Sequence, residues 1–370
     1  MKVELADIRA QHKALKPEIS AALAKVFDDC RFILGPNVEA FEREIGALCG
    51  AKFASGVNSG TDALLIALAA LDIGPGDEVI TTPFTFVATV ETICQLGATP
   101  VFADIDPATF CIDPVQVEAR ITARTKAIMP VHLFGQLADM GAINALAAKH
   151  GISVIGDGAQ AIGALQDGEP VGATADITTL SFYPTKNLGG CGDAGMVLSN
   201  DESHAEQFKL LRFHGSGGGY IYKRVGYCSR LDEIQAAILR VKLRRLSSWN
   251  ADRKANGARY ISRLKDVESI FLPTTAPGND HIYHQFTLRV RGGQERRDAL
   301  KAHLAALDIG SAVFYPLSLH LQGPYANFGA HEGDLPVSES ITSEVLSIPV
   351  HPDLTVDQVD YVADAITAFR

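Results

Sequence analysis

The chain carries 370 residues and a formal net charge of −10, with 47% hydrophobic and 21% charged side chains. That length predicts one large domain and a smaller one, and the ordinary globular balance leaves no long disordered segment. The acidic charge speaks against a nucleic-acid partner, since phosphate-backbone affinity rests on clustered lysine and arginine.

In chain order, an amphipathic helix is expected over residues 17–27, inside a leading stretch of about 35 residues that is free to pack with either domain. A helix over 61–71 is stopped by Asp72-Ile73-Gly74-Pro75-Gly76. Apolar runs of strand length at 78–81, 99–103, 127–132, 153–157, 178–182 and 195–199 alternate with helical patterns, which predicts a mostly parallel sheet with helices on both faces. A long helix over 230–249 follows, and the basic run from Arg240 to Arg245 reads as its solvated face. Beyond it the pattern changes to a strand at 284–290, a helix at 294–307 and a strand at 347–350, a small α+β unit. The expected division is a large domain over 1–248 and a small C-terminal domain over 249–370.

Cys30, Cys49, Cys94, Cys111, Cys191 and Cys228 are scattered without Cys-x2-Cys spacing, so neither a metal site nor a disulfide framework is expected. Residues 1–7 contain no apolar leader, and no uncharged run of membrane-spanning length follows. These features predict a soluble cytoplasmic protein with no membrane partner.

The chemistry concentrates in Leu180-Ser181-Phe182-Tyr183-Pro184-Thr185-Lys186-Asn187-Leu188-Gly189-Gly190, where one lysine stands between an apolar strand and a glycine-rich turn. Upstream, Ser153-Val154-Ile155-Gly156-Asp157 delivers an aspartate off the end of another apolar strand. By itself such a lysine is a solvated loop residue. Paired with the aspartate, it fits pyridoxal 5'-phosphate: Lys186 forms the imine, and Asp157 keeps the pyridine nitrogen protonated so that the ring accepts electrons. Asn58-Ser59-Gly60-Thr61-Asp62 opens a helix, and alone it is an ordinary N-cap; with the lysine and aspartate it becomes a phosphate cup of Gly60, Thr61 and the Ser181 hydroxyl. In Thr82-Pro83-Phe84-Thr85-Phe86, alternation puts both phenylalanines on one side, where either stacks on a flat ring or fills the core. Gln160 is within reach of the cofactor's phenolic oxygen. No Gly-x-Gly-x2-Gly follows the first strand, which disfavours a dinucleotide-binding dehydrogenase.

Seven segments in order resemble the DegT/DnrJ/EryC1/StrS family of pyridoxal-phosphate sugar aminotransferases over nearly the whole chain. They are Asn58 to Leu64, Pro83 to Thr89, Pro130-Val131-His132-Leu133-Phe134-Gly135-Gln136, Gly158-Ala159-Gln160-Ala161, Ser181 to Gly189, Gly226 to Ala236, and Tyr315-Pro316-Leu317-Ser318-Leu319-His320. The resemblance implies the α/β aspartate-aminotransferase-like fold (fold type I), with a mostly parallel seven-stranded sheet in the large domain, and a homodimer with shared active sites. It assigns the imine to Lys186, the pyridinium to Asp157, the phenolic oxygen to Gln160, the phosphate to Gly60, Thr61 and Ser181, and the stacking aromatic to Phe86 rather than Phe84. Relatives with histidine in place of this lysine are dehydratases, so Lys186 implies amino transfer.

Tyr183-Pro184-Thr185 resembles enzymes acting at sugar carbon 3, and Asp157-Gly158-Ala159-Gln160 resembles those acting on UDP-linked 3-keto N-acetyl sugars; UDP and dTDP both stay open. Three positions depart from the family. Cys228 stands where an asparagine usually reaches the partner's cofactor phosphate, and a thiol is a poor substitute donor. Ile162 and Gly156 replace the usual histidine and glutamate, which implies a more apolar wall. The expected reaction takes an amino group from glutamate, releasing 2-oxoglutarate, and delivers it to a nucleotide-linked 3-keto sugar with ping-pong kinetics, Lys186 shuttling the proton. Candidate sugar-nucleotide contacts are Tyr183, Arg212, His214, Tyr220, Tyr222, Lys223, Tyr315 and His320, with Arg31 as a further anion contact. His214-Gly215-Ser216-Gly217-Gly218-Gly219 is expected to be a mobile loop that closes over the ligand. Alternatives are action at carbon 4, a cyclitol ketone substrate, or a regulatory protein that keeps the cofactor without turnover.

Overall fold

The computed structural model describes residues 1–369. Seven strands form the central sheet, in the order Phe53–Val57, Gly195–Ser199, Ile177–Ser181, Ser153–Asp157, Thr125–Met129, Glu78–Thr81, Thr99–Phe102. The last five of these run parallel, whereas Gly195–Ser199 is antiparallel to both of its neighbours. The strands lie within three positions of the sequence reading, apart from Phe53–Val57, which it did not contain. That segment, Phe-Ala-Ser-Gly-Val, is short and poor in β-branched side chains, so local preference does not announce it. Pairing with Gly195–Ser199 holds it in place, and Gly56 permits a close approach: a Cβ there would lie 2.9 Å from Leu231.

Helices cover both faces. On one, Phe41, Phe84, Leu180 and Phe182 belong to a core that also takes in Ile143 of the helix Met140–His150. On the other, Leu64 and Leu68 of Gly60–Ala70 pack with Val197 and with Phe208 of Glu202–Leu211. The sheet is therefore buried on both sides, which is why its strands read as continuous apolar runs.

Two helices are longer than their periodicity suggests. The N-terminal one spans Ile8–Asp29 with Pro17 in its interior, because Leu15 and Ile19 bury against Ile238 and Val241 of a second helix. Tertiary packing here outweighs the hydrogen bond that proline forgoes. The second helix, Glu233–Leu264, runs without interruption through residues 248 and 249. Its later half looks loop-like, with Asn250, Asp252, Asn256 and Gly257, yet Asn250, Arg253, Gly257, Tyr260 and Leu264 form a buried stripe at helical spacing.

Tyr260 and Leu264 reach the C-terminal unit, whose three strands Ile270–Phe271, Phe286–Val290 and Val345–Ile348 pack against Gly293–Ala306 and Val356–Ala368. Val3 joins that core and pairs with Ile309, so the first residues pack with this unit while Ile8–Asp29 packs along the long helix. Among the described residues no helix is long and apolar enough to cross a membrane.

Candidate active site

Strands Ser153–Asp157 and Ile177–Ser181 are parallel neighbours, and their carboxyl ends open onto a cleft of about 460 Å³, where open α/β sheets bind ligands. Asp157 and Lys186 both line it. The aspartate is held from both ends: its N–H donates to the Pro130 carbonyl at 2.9 Å and its carbonyl accepts from His132 N–H at 3.0 Å. Its side chain is only 4% exposed, and it accepts from Thr89 Oγ1 at 2.9 Å and from Ala159 N–H at 3.1 Å. Burial pushes this carboxyl above its usual pKa, opposed by those two hydrogen bonds and by the Lys186 charge.

Lys186 follows the strand through a turn in which its own N–H donates to the Tyr183 carbonyl at 2.8 Å. Desolvation lowers its amine to about 8, and the Asp157 charge works in the other direction. The turn is anchored by the long helix: Gln235 Oε1 accepts from Cys191 N–H at 2.9 Å, Lys242 donates to the Gly189 carbonyl, and Asn250 Oδ1 accepts from Asn187 Nδ2 at 2.8 Å. Gly189 is required there, since a Cβ would lie 2.3 Å from the Pro184 carbonyl oxygen.

At the other end of the cleft, Ser59 caps the helix Gly60–Ala70 by accepting from Asp62 N–H at 3.0 Å. The amides of Gly60 and Thr61 sit in the first turn, where no intrahelical partner exists, and both residues line the cleft. A Cβ on Gly60 would stand 2.6 Å from the Ser181 Cβ, so glycine lets the amides and the serine hydroxyl converge. This cradle, with the helix dipole behind it, suits a phosphate.

Gln160 Oε1 accepts from Phe134 N–H at 2.7 Å, which turns Nε2 toward Tyr315 Oη, 3.4 Å away. Burial raises the Tyr315 phenol well above its usual pKa, so it remains a neutral hydroxyl. Phe86 and Tyr183 line the cleft with half of their surfaces exposed. A flat ring with a phosphate arm, a basic nitrogen and an aldehyde therefore finds a stacking face, an anion cradle, a carboxylate and an amine among the residues present.

Three sequence assignments are corrected: the shared side of Phe84 and Phe86, Arg212 and His320. Residues 82–87 are not a strand, so the alternation argument fails: Phe84 is fully buried and only Phe86 reaches the cleft. Arg212 is 8% exposed and bound to Glu42 and to the Gly56 carbonyl, so it braces the core. His320 is buried, with Nε2 bonded to Glu339 at 3.1 Å and its ring against Phe102, away from the cleft. His214, Tyr220, Tyr222 and Lys223 stand on an exposed hairpin, closed by Gly217 N–H to the Ile221 carbonyl at 2.7 Å, and do not line the cleft of their own chain. Cys228 Sγ takes a hydrogen bond from Arg230 Nη2 at 2.9 Å and also lies outside it. Arg31 is exposed and not among the lining residues.

Thr89, His284 and Phe314 were not singled out by sequence reasoning. Thr89 lies one turn along the segment carrying Phe86, a local clue; His284 comes from the C-terminal unit, with no local signal tying it to Lys186.

A family model described as the DegT/DnrJ/EryC1/StrS aminotransferase family matches residues 13–367. A Geobacillus stearothermophilus protein named pleiotropic regulatory protein is 47% identical over 100% of this chain and 99% of its own length. A Streptomyces venezuelae dTDP-3-amino-3,4,6-trideoxy-alpha-D-glucose transaminase is 44% identical over 99% of this chain and 95% of its own. The crystal structure of S. venezuelae DesV in complex with a ketimine intermediate superposes with a TM-score of 0.96 at 44% identity, covering 99% of this chain and 98% of that one.

Proposed function

Since the chain belongs to the DegT/DnrJ/EryC1/StrS aminotransferase family, we propose that it moves an amino group from glutamate to the C-3 ketone of a UDP- or dTDP-linked keto-hexose. The protein is an aminotransferase that uses pyridoxal phosphate. The observation that carries the reading is the convergence of Lys186, Asp157 and the Gly60–Thr61–Ser181 cradle on one cleft.

When bound, the cofactor supplies an aldehyde for amine exchange and a ring that withdraws electrons from the reacting carbon. Asp157 would hold a proton on the ring nitrogen, and its hydrogen bonds from Thr89 and Ala159 fix the carboxylate's direction. Lys186 would hold the aldehyde carbon and take and return a proton at Nζ, an amine that desolvation lowers to about 8 in the free chain. Gly60, Thr61 and Ser181 would bind the phosphate arm, Gln160 would meet the phenolic oxygen, and Phe86 would cover the ring and exclude water. Tyr183 and Tyr315 border the space left for the sugar.

A second copy of the chain completes the site in this reading. Tyr220 is 89% exposed, and Phe213, Ile221, Tyr222 and Val225 on the same hairpin leave apolar surface uncovered. Seated on a partner, this hairpin would bring His214, Tyr220, Tyr222 and Cys228 toward the partner's cleft, giving a homodimer with shared active sites. The amino sugar formed in the cytoplasm would feed glycan, lipopolysaccharide or natural-product assembly.

The test is the absorbance of the purified protein with glutamate, then turnover with 3-keto and 4-keto nucleotide sugars and a cyclitol ketone. A yellow protein bleached by glutamate and most active on a 3-keto sugar is expected. Preference for a 4-keto sugar or a cyclitol would overturn the regiochemistry. A protein that stays colourless with added cofactor, or a Lys186→Ala variant with full turnover, would sink the mechanism. The regulatory name of the Geobacillus relative favours a second reading, cofactor binding without turnover; a yellow protein inert to every donor would support it.

A further inference from the structure

His284 lies on the wall of the cleft that also holds Lys186, and it is 6% exposed. A backbone carbonyl settles how its ring is protonated. Asn250 Nδ2 donates to the Ile162 carbonyl at 3.1 Å, so Asn250 Oδ1 is an acceptor. Asn187 must then present Nδ2 to that oxygen, at 2.8 Å, which leaves Asn187 Oδ1 as an acceptor facing His284 Nδ1 at 3.0 Å. His284 Nδ1 therefore carries a proton. Burial, and after it two cations, keep the ring from taking a second one. Lys186 stands in the same cleft, and Arg253 donates from Nη1 to the carbonyls of Tyr283 and His284 itself, 3.3 Å each. With burial, their charges lower the imidazole well below its usual range, and no carboxylate is among the groups that shift it. The result is a neutral ring whose Nε2 is a bare acceptor.

We propose that His284 is a positioning residue for Lys186: its Nε2 lone pair accepts a hydrogen bond from the ε-amine once substrate has displaced that amine, and so holds the proton-carrying nitrogen at the reacting carbon. The arrangement is directional. Asn187, next to the lysine in sequence, fixes the donor side of the ring, while Asn250 and Arg253, one turn apart on the long helix, fix the amide chain and the backbone on either side of it. An imidazole with its proton on Nε2 would instead meet an ammonium donor with a donor. The role rests on Lys186 being the reacting amine.

The first readout needs neither cofactor nor turnover. ¹⁵N-imidazole spectra of the apoprotein across neutral pH are expected to show His284 with a proton on Nδ1 and none on Nε2, and the Nε2 signal is expected to shift in a Lys186→Ala apoprotein. A proton on Nε2, or a doubly protonated ring at neutral pH, overturns the proposal. The second readout uses two variants. His284→Asn keeps a donor for Asn187 and removes the cleft acceptor; His284→Gln returns an amide oxygen to the cleft. His284→Asn is expected to lower the Lys186 titration midpoint in the apoprotein and to slow the glutamate half-reaction about tenfold at unchanged KM, the worth of one hydrogen bond. His284→Gln is expected to recover most of both. A His284→Asn variant that matches the parent in midpoint and rate also overturns it. Failure of the transaminase reading has a separate signature, undiminished turnover by Lys186→Ala.

Discussion

Phe84 and Phe86 stand two positions apart and face different environments: Phe84 is fully buried against the rings of Phe110, Phe134 and Tyr315, while Phe86 leaves 56% of its surface open to the cleft. The two changes to alanine should therefore separate. Phe86→Ala is expected to leave thermal stability near the parent's and weaken cofactor binding roughly 3–10-fold, the value of one aromatic stack. Phe84→Ala is expected to cost about 3–5 kcal/mol of stability through the cavity it opens. Thermal melts of the apoproteins and equilibrium cofactor titrations measure both.

Asp157 should trade stability for function. Burial raises the folded carboxyl's pKa above the unfolded value, so its penalty is absent below the unfolded pKa, grows as pH rises toward the folded pKa, and is complete above it. Asp157→Asn is expected to raise the apoprotein's melting temperature at neutral pH by about 1–3 °C and to leave it unchanged in acid. The same variant should lose roughly 10²-fold or more in turnover, because the ring nitrogen loses its anionic partner. A melting temperature that falls at neutral pH would refute the first half.

The Lys186 amine should titrate early. In the apoprotein its reactivity toward an amine-directed reagent is expected to rise with a midpoint near 8 instead of the ordinary lysine value. Asp157 favours the ammonium form, so Asp157→Asn is expected to move that midpoint further down. Peptide mapping of reagent incorporation against pH reads both, and an upward shift in the variant would contradict the pairing.

Glu233 does structural work away from the cleft. Its carboxylate accepts from the amides of Gly35, Asn37 and Val38 at 3.1, 2.5 and 3.1 Å and from Asn37 Nδ2 at 2.9 Å, capping the helix Pro36–Cys49 from across the fold. Glu233→Ala would leave three amides without that acceptor and is expected to cost about 2–4 kcal/mol. Denaturant melts would show this as a lower midpoint with an unchanged slope.

What could be read in advance follows the range of the forces involved. Strands such as Glu78–Thr81 and Ser153–Asp157 were legible because burial on both faces writes itself as an unbroken apolar run. The convergence of Lys186, Asp157, Gly60 and Ser181 on one cleft was legible because each sits where a strand or helix ends, a place that punctuation residues mark locally. Arg212 and His320 were misread for the opposite reason. Their partners, Glu42 and Glu339, are set by the fold, and a polar side chain beside a motif looks the same whether it meets a ligand or a carboxylate. Asn187, Asn250 and His284 form one network across 97 positions of chain, which no periodicity encodes.

The helix Glu233–Leu264 spans about 48 Å at 1.5 Å per residue. Near its start it grips the turn after Lys186 through Gln235, midway through Lys242 and Asn250, and at its far end it is embedded in the C-terminal core through Tyr260 and Leu264. A rod fixed at both ends has no hinge between them. Any tilt of the C-terminal unit is thus geared to the position of Lys186, and a ligand that draws the unit inward would tune the placement of a nitrogen it never touches.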